Sequence, residues 1–175
     1  MRLHEIRINE NQFLKQKIVE NDRILARAQA KKYIKDTESA FVGMLSEVIC
    51  KDIFREHNLQ ILDYPKGSPD DWKGLDLILV SGNLVNHSVD VKGANLIGEH
   101  YNKIFVVDDE NIAKKKENEL YALSFIINEY LYFVGFIRSD LGIKLPHNEF
   151  GHYFPLEQNS FENYKKHIIT LESIL

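Results

Sequence analysis

Two short apolar runs with acids inside them constrain this chain more than anything else in it. Leu75-Asp76-Leu77-Ile78-Leu79-Val80 and His87-Ser88-Val89-Asp90-Val91-Lys92 are too short for helices, and they flank a Gly82-Asn83 turn between Ser81 and Asn86. They predict a pair of strands, the second ended by Gly93. Strand side chains alternate between faces, so Asp90 and Lys92 share one face of the second strand. A turn centred near Leu84 would set Asp76 across from Lys92, with Asp90 diagonal to it. Two aspartates among apolar neighbours are unfavourable unless a cation or hydrogen bonds compensate them. A single Asp–Lys pair would read as structural. Three ionisable groups converging beside a glycine read as a site.

The flanking segments predict the layers around that pair. Asp36 or Thr37 to His57 reads as a helix, with Thr37 as N-cap and an incomplete capping box. Its apolar residues (Phe41, Val42, Met44, Leu45, Val48, Ile49, Cys50, Ile53, Phe54) go nearly all the way round, as in a helix buried on most sides. Ile104–Val107 reads as a third strand and Asp108 to Asn118 as a short helix. Leu120–Ile127 and Leu131–Ile137 read as a hairpin across Asn128-Glu129-Tyr130, and Phe161–Leu175 as a last helix. The aromatics Tyr121, Phe125, Tyr130, Tyr132, Phe133 and Phe136 read as sheet core. The expectation is an α/β domain over residues 36–175, with a mixed central sheet of about five strands flanked by helices.

Residues 1–35 stand apart. They hold nine basic residues against four acids, a local +5 on a chain of −4. Asn9 to Lys35 has neither proline nor glycine and predicts a long helical N-terminal arm. Arg23, Arg27, Lys31 and Lys35 recur every four residues and would form one row, a track for phosphates or simply a solvated face.

Composition excludes several classes. The one cysteine, Cys50, leaves no intrachain disulfide and no cysteine-based zinc site, which suits a cytoplasmic protein. No signal peptide and no membrane span is evident. The negative net charge argues against binding by bulk positive charge. No phosphate loop and no Gly-x-Gly-x-x-Gly is present, so no nucleotide cofactor is expected.

The helix adds one acid. Glu47 sits among Met44, Val48 and Cys50 and needs a partner. Gly43, one turn before it, suggests close approach to another backbone. Glu38, nine residues earlier, would face about 180° away, so Glu47 is the better candidate.

Gly43-Met44-Leu45-Ser46-Glu47 on a helix, Gly74-Leu75-Asp76 opening a strand and Asp90-Val91-Lys92 on the next resemble the PD-(D/E)XK nuclease superfamily. The order of helix, three strands, helix, strand is also similar to its core. Leu75 stands where the motif has a proline, which such proteins often lack. The resemblance covers Thr37 to Ile137 and implies a restriction-endonuclease-like core. It implies that Asp76, Asp90 and the Val91 carbonyl bind Mg²⁺, with Mn²⁺ as a substitute, and that Glu47 completes the site directly or through water. Lys92 would position the attacking water or stabilise the transition state. The implied activity is a metal-dependent DNA endonuclease of restriction, repair or recombination type. A homodimer is compatible with cutting both strands, though no residue marks it. The alternatives are a structure-selective junction resolvase-type nuclease and a non-catalytic DNA-binding module on the same fold.

Weaker signals lie around this core. Trp72 and Lys73 precede the Asp76 strand, where the ring could stack on a base or pack over the sheet edge. Lys114 opens a run of three lysines that could meet phosphates or water. His147 and His152, five apart around Glu149, do not have a ligand spacing. Cys50 reads as packing within the helix.

Overall fold

The structure is a computed structural model, and it describes residues 3–8, 37–63, 76–96, 102–107 and 119–175. The predicted arm helix lies outside these residues, as do Arg23, Arg27, Lys31, Lys35, Trp72, Lys73 and Lys114.

Helix α1 (Thr37–Glu56) matches its predicted span closely. Val42, Leu45, Ile49, Ile53 and Phe54 form a stripe at helical spacing that packs on one face of the main sheet. The strands are β1 (His4–Arg7), β2 (Ile61–Asp63), β3 (Leu77–Leu79), β4 (Ser88–Asn95), β5 (Lys103–Val107), β6 (Glu119–Ile127), β7 (Tyr130–Arg138), β8 (His147–Asn148) and β9 (Gly151–Pro155). Six of them form a mixed sheet in the order β1-β7-β6-β4-β3-β2. Only β4 and β6 run parallel. The chain between these two passes through β5, which pairs with β9 in a second sheet of order β5-β9-β8.

The residue alternation decides which layer each face meets. Val89 and Val91 of β4, and Leu120 and Ala122 of β6, pack toward α1. Tyr121, Leu123 and Phe125 of β6 point the other way, onto Ile104, Val106 and Phe154 of the small sheet. Three short C-terminal pieces follow: α2 (Ser139–Gly142), α3 (Gln158–Tyr164) and α4 (Leu171–Ile174). Leu171 and Ile174 close the α1-side core.

Several expectations need correction. The N-terminal helical arm is not supported: His4–Arg7 is an edge strand on β7, its alternate residues His4 and Ile6 turned inward. Its partner is more than 120 residues away, so local pattern could not reveal it. Ile61–Asp63, to which the sequence assigns no strand, pairs antiparallel with β3. Ile104–Val107 belongs to the small sheet, which covers the second face together with Leu141, Phe161 and Tyr164 of the short C-terminal helices. The last helix is broken, because Ile169 leaves helical geometry to bridge Phe136. Tyr130 is exposed rather than core.

Two glycines exchange roles. Gly93 does not end the strand but lies within it, and a Cβ there would sit 2.0 Å from Ser46 Oγ on α1. Gly43 is open: a Cβ there would meet nothing within 4 Å. The close helix–strand approach is therefore made at Gly93.

Candidate active site

The Asp76 strand pairs two residues out of the expected register. Leu77 lies opposite Val89 and Ile78 opposite Ser88, which centres the turn near Asn83. The turn is fixed from outside: the Asn83 N–H donates to the Ile174 carbonyl at 2.8 Å. Asn86 adopts a positive φ of 68° to complete it. A two-residue shift keeps every side chain on its face, so the predicted alternation survives while the opposite partner changes. Asp76 lies one residue before this ladder, and the Asp90 charge acts on its carboxyl.

Asp76 stands just before β3. Its N–H donates to the Val89 carbonyl at 2.9 Å. Its Oδ2 accepts the Val91 N–H at 2.7 Å. A strand residue turns its N–H and C=O to the same side, so the Val91 carbonyl also faces the Asp76 side.

Asp90 and Lys92 project together from the other face of β4, as their spacing predicts. Lys92 Nζ is 2.8 Å from Asp90 Oδ2, and the Asp90 side chain is buried. The ammonium also lies 5.8 Å from the centre of the Tyr121 ring, within cation–π range. Glu47 on α1 acts on Asp76 through its charge. It is 3% exposed, and Lys51 Nζ lies 2.7 Å from its Oε1. The same ammonium is 2.6 Å from Asp63 Oδ1 on β2. Lys51 and Asp63 escaped the reading of the sequence. The signal was there for Lys51, a second charge one turn after Glu47 in an apolar helix.

The electrostatics centre on Asp76. Burial pushes its carboxyl up, and the charges of Glu47 and Asp90 push it further, to about 7. The Val91 N–H and the Lys92 charge act in the other direction without prevailing. Burial would lower the Lys51 ammonium, but the Glu47 and Asp63 carboxylates outweigh it and hold it above its ordinary value. Burial pushes the Cys50 thiol up to about 12, so it is a packed, inert group as expected.

Among the described residues, no three His, Cys, Asp or Glu side chains form a ready metal cage. The donors nevertheless fit a hard divalent cation in kind: carboxylate oxygens and a backbone carbonyl, with burial and two neighbouring acids raising the proton affinity of Asp76. The remaining candidates lie elsewhere. His147 and His152 face each other as a cross-strand pair with rings 4.8 Å apart. The Glu38 side chain lies outside the described residues. Among the described residues, no helix is long and apolar enough to cross a membrane. No family model, no curated protein and no solved structure matches this chain.

Proposed function

We propose that this chain is a metal-dependent endonuclease that hydrolyses DNA phosphodiester bonds on a restriction-endonuclease-like core. The observation that carries the reading is that the charges of Glu47, Asp90 and Lys92 all act on the buried Asp76 carboxyl. Burial, with the Glu47 and Asp90 charges added, raises the Asp76 carboxyl to about 7, a cost that packing alone gives no reason to keep. The order of helix, three-strand antiparallel meander and parallel strand (α1, β2-β3-β4, β6) also supports it.

Asp76, Asp90 and the Val91 carbonyl would hold the ion, with Glu47 joining directly or through water. Bound Mg²⁺ or Mn²⁺ would make a water acidic enough to attack phosphorus and would neutralise charge on the phosphate. The chain's own groups do the rest. Asp90 holds the Lys92 ammonium at 2.8 Å, where Lys92 would orient the attacking water or bind a phosphate oxygen. The Val91 N–H fixes the Asp76 carboxylate against the strand.

The Glu47–Lys51 and Asp90–Lys92 pairs favour one second reading, a DNA-binding module without catalysis, because such pairs also occur in purely structural networks. A supercoiled-plasmid nicking assay with Mg²⁺, Mn²⁺ or EDTA separates the two. Metal-dependent nicking by the wild type, lost in Asp90→Ala, is the expected result. Absence of cutting on plasmid, branched DNA and RNA with every metal would overturn the enzyme reading. Preference for branched over linear duplex would identify a resolvase type.

A further inference from the structure

Tyr121 has a place that its part in the core does not require. Its side chain is fully buried and packs among Ile104, Val106 and Phe154 of the small sheet. On β6 it is also the ladder partner of Asp90. Asp90, Lys92 and Tyr121 therefore project from the same face of the main sheet. The Lys92 ammonium lies on that face, 2.8 Å from Asp90 Oδ2 and 5.8 Å from the centre of the Tyr121 ring.

Carboxylate and ring act on the ammonium differently. Lysine is a flexible chain, and holding it in one geometry has an entropic cost. A carboxylate attracts the ammonium but also cancels its charge. An aromatic face attracts it through the ring quadrupole and carries no net charge. The ring therefore confines Lys92 without reducing the positive charge that a water or a phosphate oxygen would meet. It can do so because it is held in place itself, by β4 and β7 on either side and by the second sheet above it. The Lys92 side chain keeps 27% of its surface exposed against 5% for Asp90, so the lysine is the member of the pair open to substrate.

We infer that Tyr121 is a positioning residue for Lys92: its buried ring holds the ammonium beside Asp90 in the place where it meets the attacking water or a phosphate oxygen. The inference rests on the part given to Lys92 in the proposed reaction.

The test places phenylalanine or trifluorophenylalanine at position 121 of the full chain, each with Lys92 and with Lys92→Met. Fluorine keeps the shape of the ring while withdrawing negative charge from its face, so packing is retained and the attraction for a cation is weakened. Tyr121→Phe should keep most of the metal-dependent plasmid nicking. Fluorination should then slow nicking about threefold to tenfold. It should also lower the urea midpoint measured without divalent ions, and should not lower it in Lys92→Met. Lys92→Gln replaces Lys92→Met where the latter does not fold. A midpoint that stays unchanged with Lys92, or falls equally in Lys92→Met, would overturn the inference, since the ring would then act by packing alone. So would a midpoint that falls while nicking is unchanged. Loss of nicking in Tyr121→Phe would assign the role to the hydroxyl and also overturn it. A wild type that cuts no DNA would instead sink the endonuclease reading, and the midpoints would still decide whether the ring holds Lys92.

Discussion

Replacing Asp76 by asparagine should make this protein more stable at pH 8 while abolishing its metal chemistry. The folded-state carboxyl sits at about 7, against an ordinary 3.8. At pH 3, below both values, folded and unfolded chains both carry the proton and the group leaves stability unchanged. As pH climbs from about 4 to 7 the unfolded chain releases its proton first, and stability falls. Above pH 7 the full difference applies, about 4 kcal/mol as an order of magnitude. Asparagine cannot ionise, and its Oδ1 can still accept the Val91 N–H. A neutral acceptor is weaker than a charged one by about 1 kcal/mol. The net gain at pH 8 should therefore be about 2–3 kcal/mol. Urea unfolding followed by circular dichroism at pH 4.5 and pH 8, without divalent ions, measures it. The gap between variant and wild type should be small at pH 4.5 and wide at pH 8. A gap that does not widen would refute the argument that burial and the two acids raise this carboxyl.

Two more perturbations probe the support of the site. Gly93→Ala should lose about 1–3 kcal/mol in chemical unfolding, because its Cβ would meet both side-chain heavy atoms of Ser46. Adding Ser46→Gly should recover part of that loss, and failure to do so would place the tight contact elsewhere. Lys92→Met should cost about 2 kcal/mol by leaving the buried Asp90 carboxylate without its 2.8 Å partner. Lys92→Arg should keep most of that stability yet lose about 10²-fold or more in plasmid cutting, since a guanidinium is bulkier and differently directed. Equal cutting by the arginine variant would remove Lys92 from the chemistry.

The sequence reveals the parts of the site that depend on local periodicity. Helical spacing marks the buried stripe of α1 and singles out Glu47 within it. Strand alternation places Asp90 and Lys92 side by side. What it misses is set by contacts distant in sequence. The Asn83 turn takes its register from the Ile174 carbonyl, about ninety residues on, so its centre could not be read from Gly82-Asn83 alone. Gly43 and Gly93 look equally suited to a close approach until helix and strand are docked, and only Gly93 meets Ser46. Asp63 sits at the end of a three-residue strand that exists because β3 is beside it. Its part in the Lys51 network follows from that pairing.

The edge strand β1 also has a bearing on how the chain reaches this state. His4–Arg7 leaves the ribosome long before Tyr130–Arg138, the strand it pairs with. Such a contact carries a large loop-closure entropy and forms late. Until it forms, β7 presents an unpaired edge bearing Leu131 and Phe133. That edge is the place where a newly made chain would pair with the wrong neighbour. The Arg7–Glu129 ion pair at 2.7 Å and the Ile8 N–H to Glu129 carbonyl bond then fasten the latecomer at the hairpin end. A slow phase in refolding, and aggregation that rises with protein concentration when β1 is deleted, would be the kinetic signature of that order.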